Sequence, residues 1–192
     1  YYFSHDHTIQ HEWRKNRRYF PEYETYGVDV NRNYDGSING NPDGMWGSLG
    51  GSVSHNPLYE IYCGPFPSSE DETQIIKNFI KNHDVSAAIS YHTYGELVMW
   101  PWGYSTTEHT PDDAYISEIG REIASKITTQ DETNTYTPIQ SAELYPTTGD
   151  FIDWAYSYSH YILGKPLFAY TIEACTEFHP SAEALDQVCS EN

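Results

Sequence analysis

Positive charge is scarce in this sequence, and long hydrophobic runs are absent. Ten lysines and arginines stand against 28 aspartates and glutamates, which gives a net charge of −18. A surface of this sign repels nucleic-acid phosphates, so a nucleic-acid partner is disfavoured. No apolar run approaches the ~18 residues of a membrane span. We therefore expect no membrane span. The acidic charge suits solubility in salt or an extracellular, secreted location, and a merely acidic surface is the plain alternative.

Cysteine is rare as well, with Cys63, Cys175 and Cys189 as the whole set. Their spacing matches no zinc-finger pattern. Three thiols allow at most one internal disulfide, and the sequence leaves open which pair forms it, or whether any does. Aromatic residues are abundant by contrast, and 18 tyrosines among 192 residues predict a folded chain. The length suits one domain or most of one.

Two amphipathic helices are predicted from the spacing of apolar residues. The first should begin at Ser69, because Ser69 as N-cap and Glu72 at N3 form a capping-box sequence. The second should follow Thr110, with Pro111 at the first position, where proline is tolerated. Apolar residues recur at helical spacing in both segments, at Ile75, Ile76, Phe79 and Ile80 and then at Ile116, Ile119, Ile123 and Ile127.

Short apolar runs between the helices predict strands. A further short helix and a last helix from about Pro180 are also predicted, together with two loop-rich stretches. This alternation of helices and strands predicts an α/β domain with a mixed, mostly parallel sheet flanked by helices. In such sheets ligands bind beyond the carboxyl ends of the strands. The predicted strands are 85–90, 97–100 and 166–172, and the short helix is 150–158. Residues 1–35 are predicted to mix strand and loop. Residues 36–68 are predicted to form a long surface loop.

Two of these strands lead into residues that can carry chemistry. His92 follows the run 85–90. Its position alone is consistent with a metal ligand, a proton carrier or a hydrogen-bonded core residue. Glu173 follows the run 166–172, where a carboxylate is costly to bury unless it is paired or used. Burial raises a carboxyl pKa towards the range of a general base. A structural ion pair is the alternative for Glu173.

Half of the positive charge falls within the first 32 residues. In so acidic a chain this cluster indicates an anion site, unless it is only a solvated patch. A guanidinium binds a carboxylate through two parallel hydrogen bonds and can stabilise a developing oxyanion. Tyr145 lies in a Pro- and Gly-rich loop, where a mobile phenol can close over a ligand. The clustered residues are Arg14, Lys15, Arg17, Arg18 and Arg32.

Five segments, in this order, resemble the zinc metallocarboxypeptidases of the carboxypeptidase A and T family. The Asp-x-Asn-Arg-Asn sequence at 29–33 and the final strand with its glutamate are specific. The resemblance covers nearly the whole chain, so we expect 1–192 to be a partial catalytic domain with a carboxypeptidase-like α/β/α fold. The segments are 13–17, 27–34, 62–65 with 69–70, 90–94 continuing to 100–104, and 145–154 followed by 170–173.

The resemblance implies roles in the removal of the last residue of a peptide. His92 resembles the third ligand of one catalytic Zn²⁺ ion. Glu173 resembles the general base that activates water and then protonates the leaving amine. Arg14 resembles the residue that stabilises the oxyanion. The implied partner is therefore the C-terminus of a peptide or protein, bound by a monomer.

The resemblance also implies the residues that bind substrate. Asn31, Arg32 and Tyr145 resemble the clamp on the free carboxylate, and Tyr94 resembles a lining residue of the peptide groove. Ile152 matches the family position that selects the terminal side chain, and isoleucine there favours bulky apolar or aromatic residues. The neighbouring residue Asp150 resembles the aspartate of dual-specificity members, which accepts Lys or Arg.

The sequence departs from the family at the metal. Two more zinc ligands come from an upstream His-x-x-Glu in the family, and no histidine in this chain has glutamate three residues later. His7 and His11 miss the zinc-protease order, so we expect surface residues there. Catalytic zinc needs three protein ligands. We therefore expect two of them upstream of Tyr1, in a protein truncated here at its N-terminus, and expect this chain alone to be inactive.

Other interpretations remain. The chain can be one piece of a split enzyme or an inactive relative that binds peptide C-termini without cleaving them. A salt-adapted acidic scaffold is a third class of function. It would need Arg32 and Glu173 to point away from any shared cleft.

Overall fold

The computed structural model describes residues 2–3, 10–11, 13–36, 45–48 and 52–192. Two short antiparallel ribbons lie early in the chain, and they precede a tight turn at Val30–Arg32 that carries part of the site. His7, predicted to be a surface residue, lies outside the described residues. The first ribbon pairs β1 (Tyr2–Phe3) with β2 (Gln10–His11), and the second pairs β3 (Tyr19–Phe20) with β4 (Thr25–Tyr26).

A mixed sheet of four strands forms the centre of the fold. Two of its three pairings, β5 with β8 and β6 with β7, are parallel, and β6 with β8 is antiparallel. The predicted mixed, mostly parallel sheet is therefore confirmed. The strand order is β5-β8-β6-β7, for β5 (Ala87–Thr93), β6 (Leu97–Trp100), β7 (Thr137–Gln140) and β8 (Phe168–Ala174).

The strand boundaries differ from the apolar runs at two places. The prediction for 97–100 is confirmed by β6. The other two strands begin and end later than predicted, because the β5–β8 ladder continues from Ala87↔Phe168 to Thr93↔Ala174. His92 and Glu173 consequently lie within strands rather than after them. β7 was not predicted, since Thr137 and Pro138 dilute its apolar content.

Five helices flank the sheet or connect its strands within the described part of the chain. α2 contacts β6 and β7, and α4 contacts β8. The short helix predicted at 150–158 is confirmed by α4, which continues into a π turn at Tyr158–Ile162. The helices are α1 (Asp71–Asn82), α2 (Asp113–Ala124), α3 (Ser141–Leu144), α4 (Phe151–Ser157) and α5 (Ala182–Glu191).

The predicted helix starts are too early, by one residue at the N-cap of α1 and by two residues at α2. α1 has Glu70 as its N-cap and no side-chain cap, because Ser69 is bound elsewhere: its hydroxyl donates to Glu70 Oε1 and accepts from Asn33 Nδ2. α2 begins after Asp112, so Pro111 precedes the helix instead of opening it. A capping box does occur at α3, where Gln140 and Glu143 cap each other.

Two buried clusters hold the layers together. The larger lies between α2 and the sheet, and the smaller lies under α4. Aromatic side chains fill both, which explains the use of tyrosine and tryptophan in this chain. The larger includes Val98, Trp100, Trp102, Ile116, Tyr136, Tyr156, Tyr170 and Ile172, and the smaller includes Tyr34, Ile80, Ile152, Trp154 and Leu167.

Several apolar residues predicted to face the core are exposed. In α1, Ile80 is buried but Ile75 and Phe79 are 65% and 54% exposed, and in α2 Ile119 is 39% exposed. β5 was predicted as a buried strand, yet Ile89 on it is exposed. All three cysteines are free thiols. Among the described residues, no helix has the length and apolarity to cross a bilayer.

Candidate active site

The register of the central sheet brings His92 and Glu173 together. β5 and β8 are parallel neighbours, and His92 stands directly opposite Glu173 in their ladder. Residues paired in this way project to the same face of a sheet. Both side chains line a cavity of about 750 Å³ at the carboxyl ends of the two strands. The position agrees with the rule that ligands bind where parallel strands end.

Glu173 is a carboxyl group under strong desolvation. Burial raises its pKa to about 7, although the positive charges of Arg14 and Arg32 oppose the rise. Its Oε2 is buried and has no hydrogen-bond partner among the residues that the structure describes. A carboxylate with this pKa and a free buried oxygen can accept a proton from a bound water near neutral pH.

His92 is held as a neutral imidazole. Burial lowers its pKa, and the charges of Arg14 and Arg32 lower it further against the opposing charge of Asp29. Its Nε2 lies 3.0 Å from the hydroxyl oxygen of Ser90, two residues earlier on the same face of β5. When that hydroxyl accepts from Nε2–H, the Nδ1 lone pair is left for a metal ion.

Arg14 reaches the cavity from the segment before β3. Its Nη2 lies 2.9 Å from Asp29 Oδ2, and the aspartate is buried whereas the arginine is half-exposed. Asp29 Oδ1 also accepts the backbone N–H of Asn31, so it caps the turn that carries Arg32. One carboxylate therefore positions two parts of the site. The exposed side of the Arg14 guanidinium remains available to an oxygen anion in the cavity.

Arg32 is buried and its guanidinium is oriented by three hydrogen bonds. Nε donates to the carbonyl of Ser52 at 2.9 Å, and Nη1 donates to the carbonyl of Asn31 at 2.8 Å. Nη2 lies 3.4 Å from the hydroxyl of Tyr145, a contact near the limit of a hydrogen bond. Tyr145 is half-exposed at the end of α3. A carboxylate entering here meets a fixed guanidinium and a phenol with room to move.

The loop before α4 is docked onto the Arg32 turn. Gly149 has φ +73°, and a Cβ there would lie 2.3 Å from the carbonyl oxygen of Arg32. Asn31 Oδ1 accepts the N–H of Phe151 at 2.9 Å. These contacts place Asp150 and Ile152, both buried, in the cavity lining. The turn at Val30–Arg32 and the loop before α4 are thus held together by direct contacts.

All nine residues predicted from the sequence line this one cavity. They come from six separated parts of the chain, which the fold brings together. Their chemical roles remain predictions. The nine are Arg14, Asn31, Arg32, His92, Tyr94, Tyr145, Asp150, Ile152 and Glu173.

Other lining residues were missed by sequence reasoning. Phe178 and His179 follow β8, and the Phe178 ring packs edge-on against Tyr94 at 4.7 Å. Their position five and six residues after Glu173 was the signal available. Glu60 also lines the cavity, from the loop before α1, and nothing in its sequence context marked it.

Comparison with known proteins identifies the family. A model of the zinc carboxypeptidase family matches residues 2–192. The chain belongs to this family. Among curated carboxypeptidases, mast cell carboxypeptidase A of Rattus norvegicus is 35% identical over 147 residues, which are 75% of this chain and 33% of that protein. Carboxypeptidase A1 of Rattus norvegicus is 34% identical over 81% of this chain and 35% of its own length.

Solved carboxypeptidase-family structures share the fold. The crystal structure of thrombin activatable fibrinolysis inhibitor matches with a TM-score of 0.75 at 28% identity, over 93% of this chain and 42% of that one. Bovine thrombin-activatable fibrinolysis inhibitor, whose structure was solved in complex with tick carboxypeptidase inhibitor, matches with a TM-score of 0.73 at 26% identity. The match covers 93% of this chain and 57% of that one. The chain therefore spans about a third of the curated relatives and about half of these structures.

Family membership implies a Zn²⁺ ion, and the described residues do not form a complete site for one. No group of three or more His, Cys, Asp or Glu side chains within them is arranged to hold a metal. His92, with its neutral imidazole, is one suitable ligand. A catalytic zinc site needs three.

Proposed function

We propose that this carboxypeptidase-family chain is part of a catalytic domain that hydrolyses the C-terminal peptide bond of peptides and proteins. The released residues would be bulky apolar or aromatic ones, with basic ones as a second class. The observation that carries the proposal is the shared cavity of Glu173, Arg14 and Arg32 beside His92. A base, an oxyanion-stabilising cation and a carboxylate-binding cation within one cavity are what exopeptidase chemistry requires.

Glu173 supplies the proton transfers in this proposal. Its pKa of about 7 and its unbonded Oε2 suit a base that takes a proton from the attacking water. The same carboxyl group then donates that proton to the leaving amine. Arg14 lines the same cavity, and its guanidinium is paired with Asp29. It would stabilise the charge that develops on the scissile carbonyl oxygen.

Arg32, Asn31 and Tyr145 define the exopeptidase character. A buried guanidinium held by three hydrogen bonds loses little entropy when it binds a carboxylate. The free C-terminus of a substrate is the carboxylate that fits, and Tyr145 has the exposure to close over it. Ile152 and Asp150 then line the space for the last side chain. Peptides that end in an amide would lose the main anchoring interaction.

The test uses the full-length, zinc-loaded protein and pairs of peptides that differ only in a free or amidated C-terminus. We expect release of the last residue from the free acid alone. Arg32→Ala should abolish this discrimination, whereas Arg121→Ala, on the exposed side of α2, serves as the matched control. Equal cleavage of the two peptides, or no cleavage of either, would contradict the proposal.

A binding function without cleavage is the second candidate. It depends only on the guanidinium of Arg32, which backbone carbonyls of Ser52 and Asn31 hold in place. It predicts that a peptide with a free C-terminus binds and is recovered intact. Calorimetry with product analysis on the same samples separates the two functions.

A further inference from the structure

Glu60 is an acidic residue of the cavity that the proposed reaction does not use. It lines the cavity from the loop before α1, and the residue is exposed. Within the described part of the chain, no lysine, arginine or histidine forms an ion pair with its carboxylate. A carboxylate in this state at the wall of a substrate cavity is available to a cation that the substrate carries.

Hydrogen bonds on both sides of Glu60 hold its loop beside Arg14. After Glu60, the carbonyl of Tyr62 accepts the N–H of Asp29 at 2.8 Å, and Asp29 pairs with Arg14 at 2.9 Å. Before Glu60, the carbonyl of the preceding residue accepts from the ammonium group of Lys15, the neighbour of Arg14, at 3.3 Å. The loop is therefore fixed to the segment that carries the proposed oxyanion-stabilising cation.

The order of the binding groups along the cavity assigns this end to the penultimate residue of a substrate. In the proposed function Arg32 binds the terminal carboxylate, and the terminal side chain occupies the space beside Ile152. Arg14 meets the oxygen of the scissile carbonyl, and that carbonyl belongs to the penultimate residue. The side chain of the penultimate residue therefore lies towards the Arg14 end, where the loop of Glu60 is held.

The cations around this end of the cavity are engaged with other groups. The guanidinium of Arg14 is paired with the buried carboxylate of Asp29. Lys15 is 6% exposed, and its ammonium group donates to two backbone carbonyls of the loop. Arg17 lies over an indole ring at 4.0 Å and is outside the described lining of the cavity. The charge that faces the substrate without a partner at this end is that of Glu60.

We infer that Glu60 selects substrates whose penultimate residue is lysine or arginine and disfavours those with an acidic residue there. The inference rests on the proposed carboxypeptidase function and adds a point of recognition on the other side of the scissile bond from the terminal residue. An ammonium or guanidinium group forms an ion pair with the Glu60 carboxylate, whereas a second carboxylate is repelled. Because Glu60 is exposed, the effect is modest and depends on salt.

Acetylated tetrapeptides of sequence Ala-Ala-X-Leu measure this preference, with lysine, glutamine or glutamate at X. The terminal leucine is constant, so the pocket beside Ile152 contributes equally to all of them. In the full-length, zinc-loaded protein at low salt, kcat/KM should fall about two- to fivefold from lysine to glutamine and by a similar factor from glutamine to glutamate. The ratio of kcat/KM for lysine to that for glutamate is then about 4 to 25, and it should decrease as salt rises to about 0.5 M.

Two variants separate the local charge from the net charge of −18, which attracts basic peptides to the whole molecule. Glu60→Gln should lower the lysine-to-glutamate ratio about 4- to 25-fold with little change for the glutamine peptide. Glu22→Gln removes the same charge from an exposed residue outside the described lining of the cavity, and it should leave the ratio nearly unchanged. If Glu60 serves the structure of its loop instead, Glu60→Gln slows all three peptides equally.

The outcomes distinguish this selection from the carboxypeptidase function. A lysine-to-glutamate ratio that depends on salt and on Glu60 supports the selection. Cleavage of all three peptides with the same ratio in the parent protein and in Glu60→Gln overturns it and leaves the carboxypeptidase function standing. If no peptide is cleaved, that function fails and calorimetric titration with the same peptides decides the selection. Tighter binding of the lysine peptide that is lost in Glu60→Gln supports it, and equal affinities for the three peptides overturn it.

Discussion

Glu173→Gln should stabilise the metal-free protein above neutral pH while it removes the proposed general base. Burial raises the pKa of Glu173 from 4.5 to about 7, so the folded state binds this proton more tightly than the unfolded chain does. Stability therefore falls as pH rises through this interval, and the loss is complete above the folded pKa. The rise in pKa corresponds to about 3 kcal/mol. Glutamine has no charge to desolvate and nearly the same shape.

The structural source of this cost is visible in the contacts of the carboxylate. Oε2 is buried without a hydrogen-bond partner among the described residues, and the attraction of Arg14 and Arg32 only partly offsets the desolvation. A group kept in this state stores free energy for its reaction at the expense of the fold. The variant should therefore show greater stability together with a loss of catalysis of about 10²- to 10⁴-fold.

Urea unfolding of the two metal-free proteins at two pH values provides the assay. We expect the variant to be more stable by about 3 kcal/mol near pH 8.5 and by less than about 0.5 kcal/mol near pH 4.5. Glu177→Gln is the matched control, because Glu177 is exposed four residues further on. The same difference at both pH values, or a less stable variant at pH 8.5, would show that Glu173 is not under net desolvation.

Three further predictions concern other parts of the molecule. Arg32→Lys should raise KM for peptides with a free carboxylate about tenfold with little change in kcat, as measured by steady-state kinetics. The reason is that an ammonium group cannot replace a guanidinium that is held by backbone carbonyls and binds a carboxylate through two parallel hydrogen bonds. Ser90→Ala should weaken zinc binding by His92 about 10- to 100-fold in a chelator competition, and Ser90→Thr should retain it. Tyr156→Phe should lower the free energy of unfolding by about 1–3 kcal/mol in urea titrations, because Asp112 loses a donor at 2.6 Å.

The nine residues of the candidate site could be named from the sequence because the segments that contain them resemble, in order, the segments of one family. Arg32 within Asp-x-Asn-Arg-Asn and Glu173 at the end of an apolar run both line the cavity. The contact between Asp153 and Gly103 was not predictable in the same way. Asp153 lies three residues after the N-cap Asp150, as in a capping box, but both oxygens of Asp153 accept the N–H of Gly103, 47 residues earlier than Asp150 in the printed sequence. Contacts of this kind arise from tertiary structure and leave no local signal.

The sequence predicted most of the helices and strands, but it did not predict which face of each helix is buried. The apolar spacing of α1 correctly predicted a helix, but the side that it buries carries Thr73, Lys77 and Ile80. The ion pair between Lys77 and Asp35, with the Ser68 hydroxyl also accepting from the lysine, ties that face to the turn after Tyr34. The spacing of apolar residues identifies a helix because it follows the helical repeat. Which face of the helix is buried depends on the particular residues that it contacts.

Strand register was the feature of the fold that the sequence predicted least, and the candidate active site depends on it. A slip of one residue between β5 and β8 would turn Glu173 to the other face of the sheet and separate it from His92. In many strands an alternation of polar and apolar residues specifies register. β8 lacks that signal because it is buried on both faces from Ala169 to Ile172. Its register is set instead by two neighbours at once, the parallel pairing with β5 and the antiparallel pairing with β6, in which Glu173 opposes Leu97. The site geometry is thus a property of three strands together.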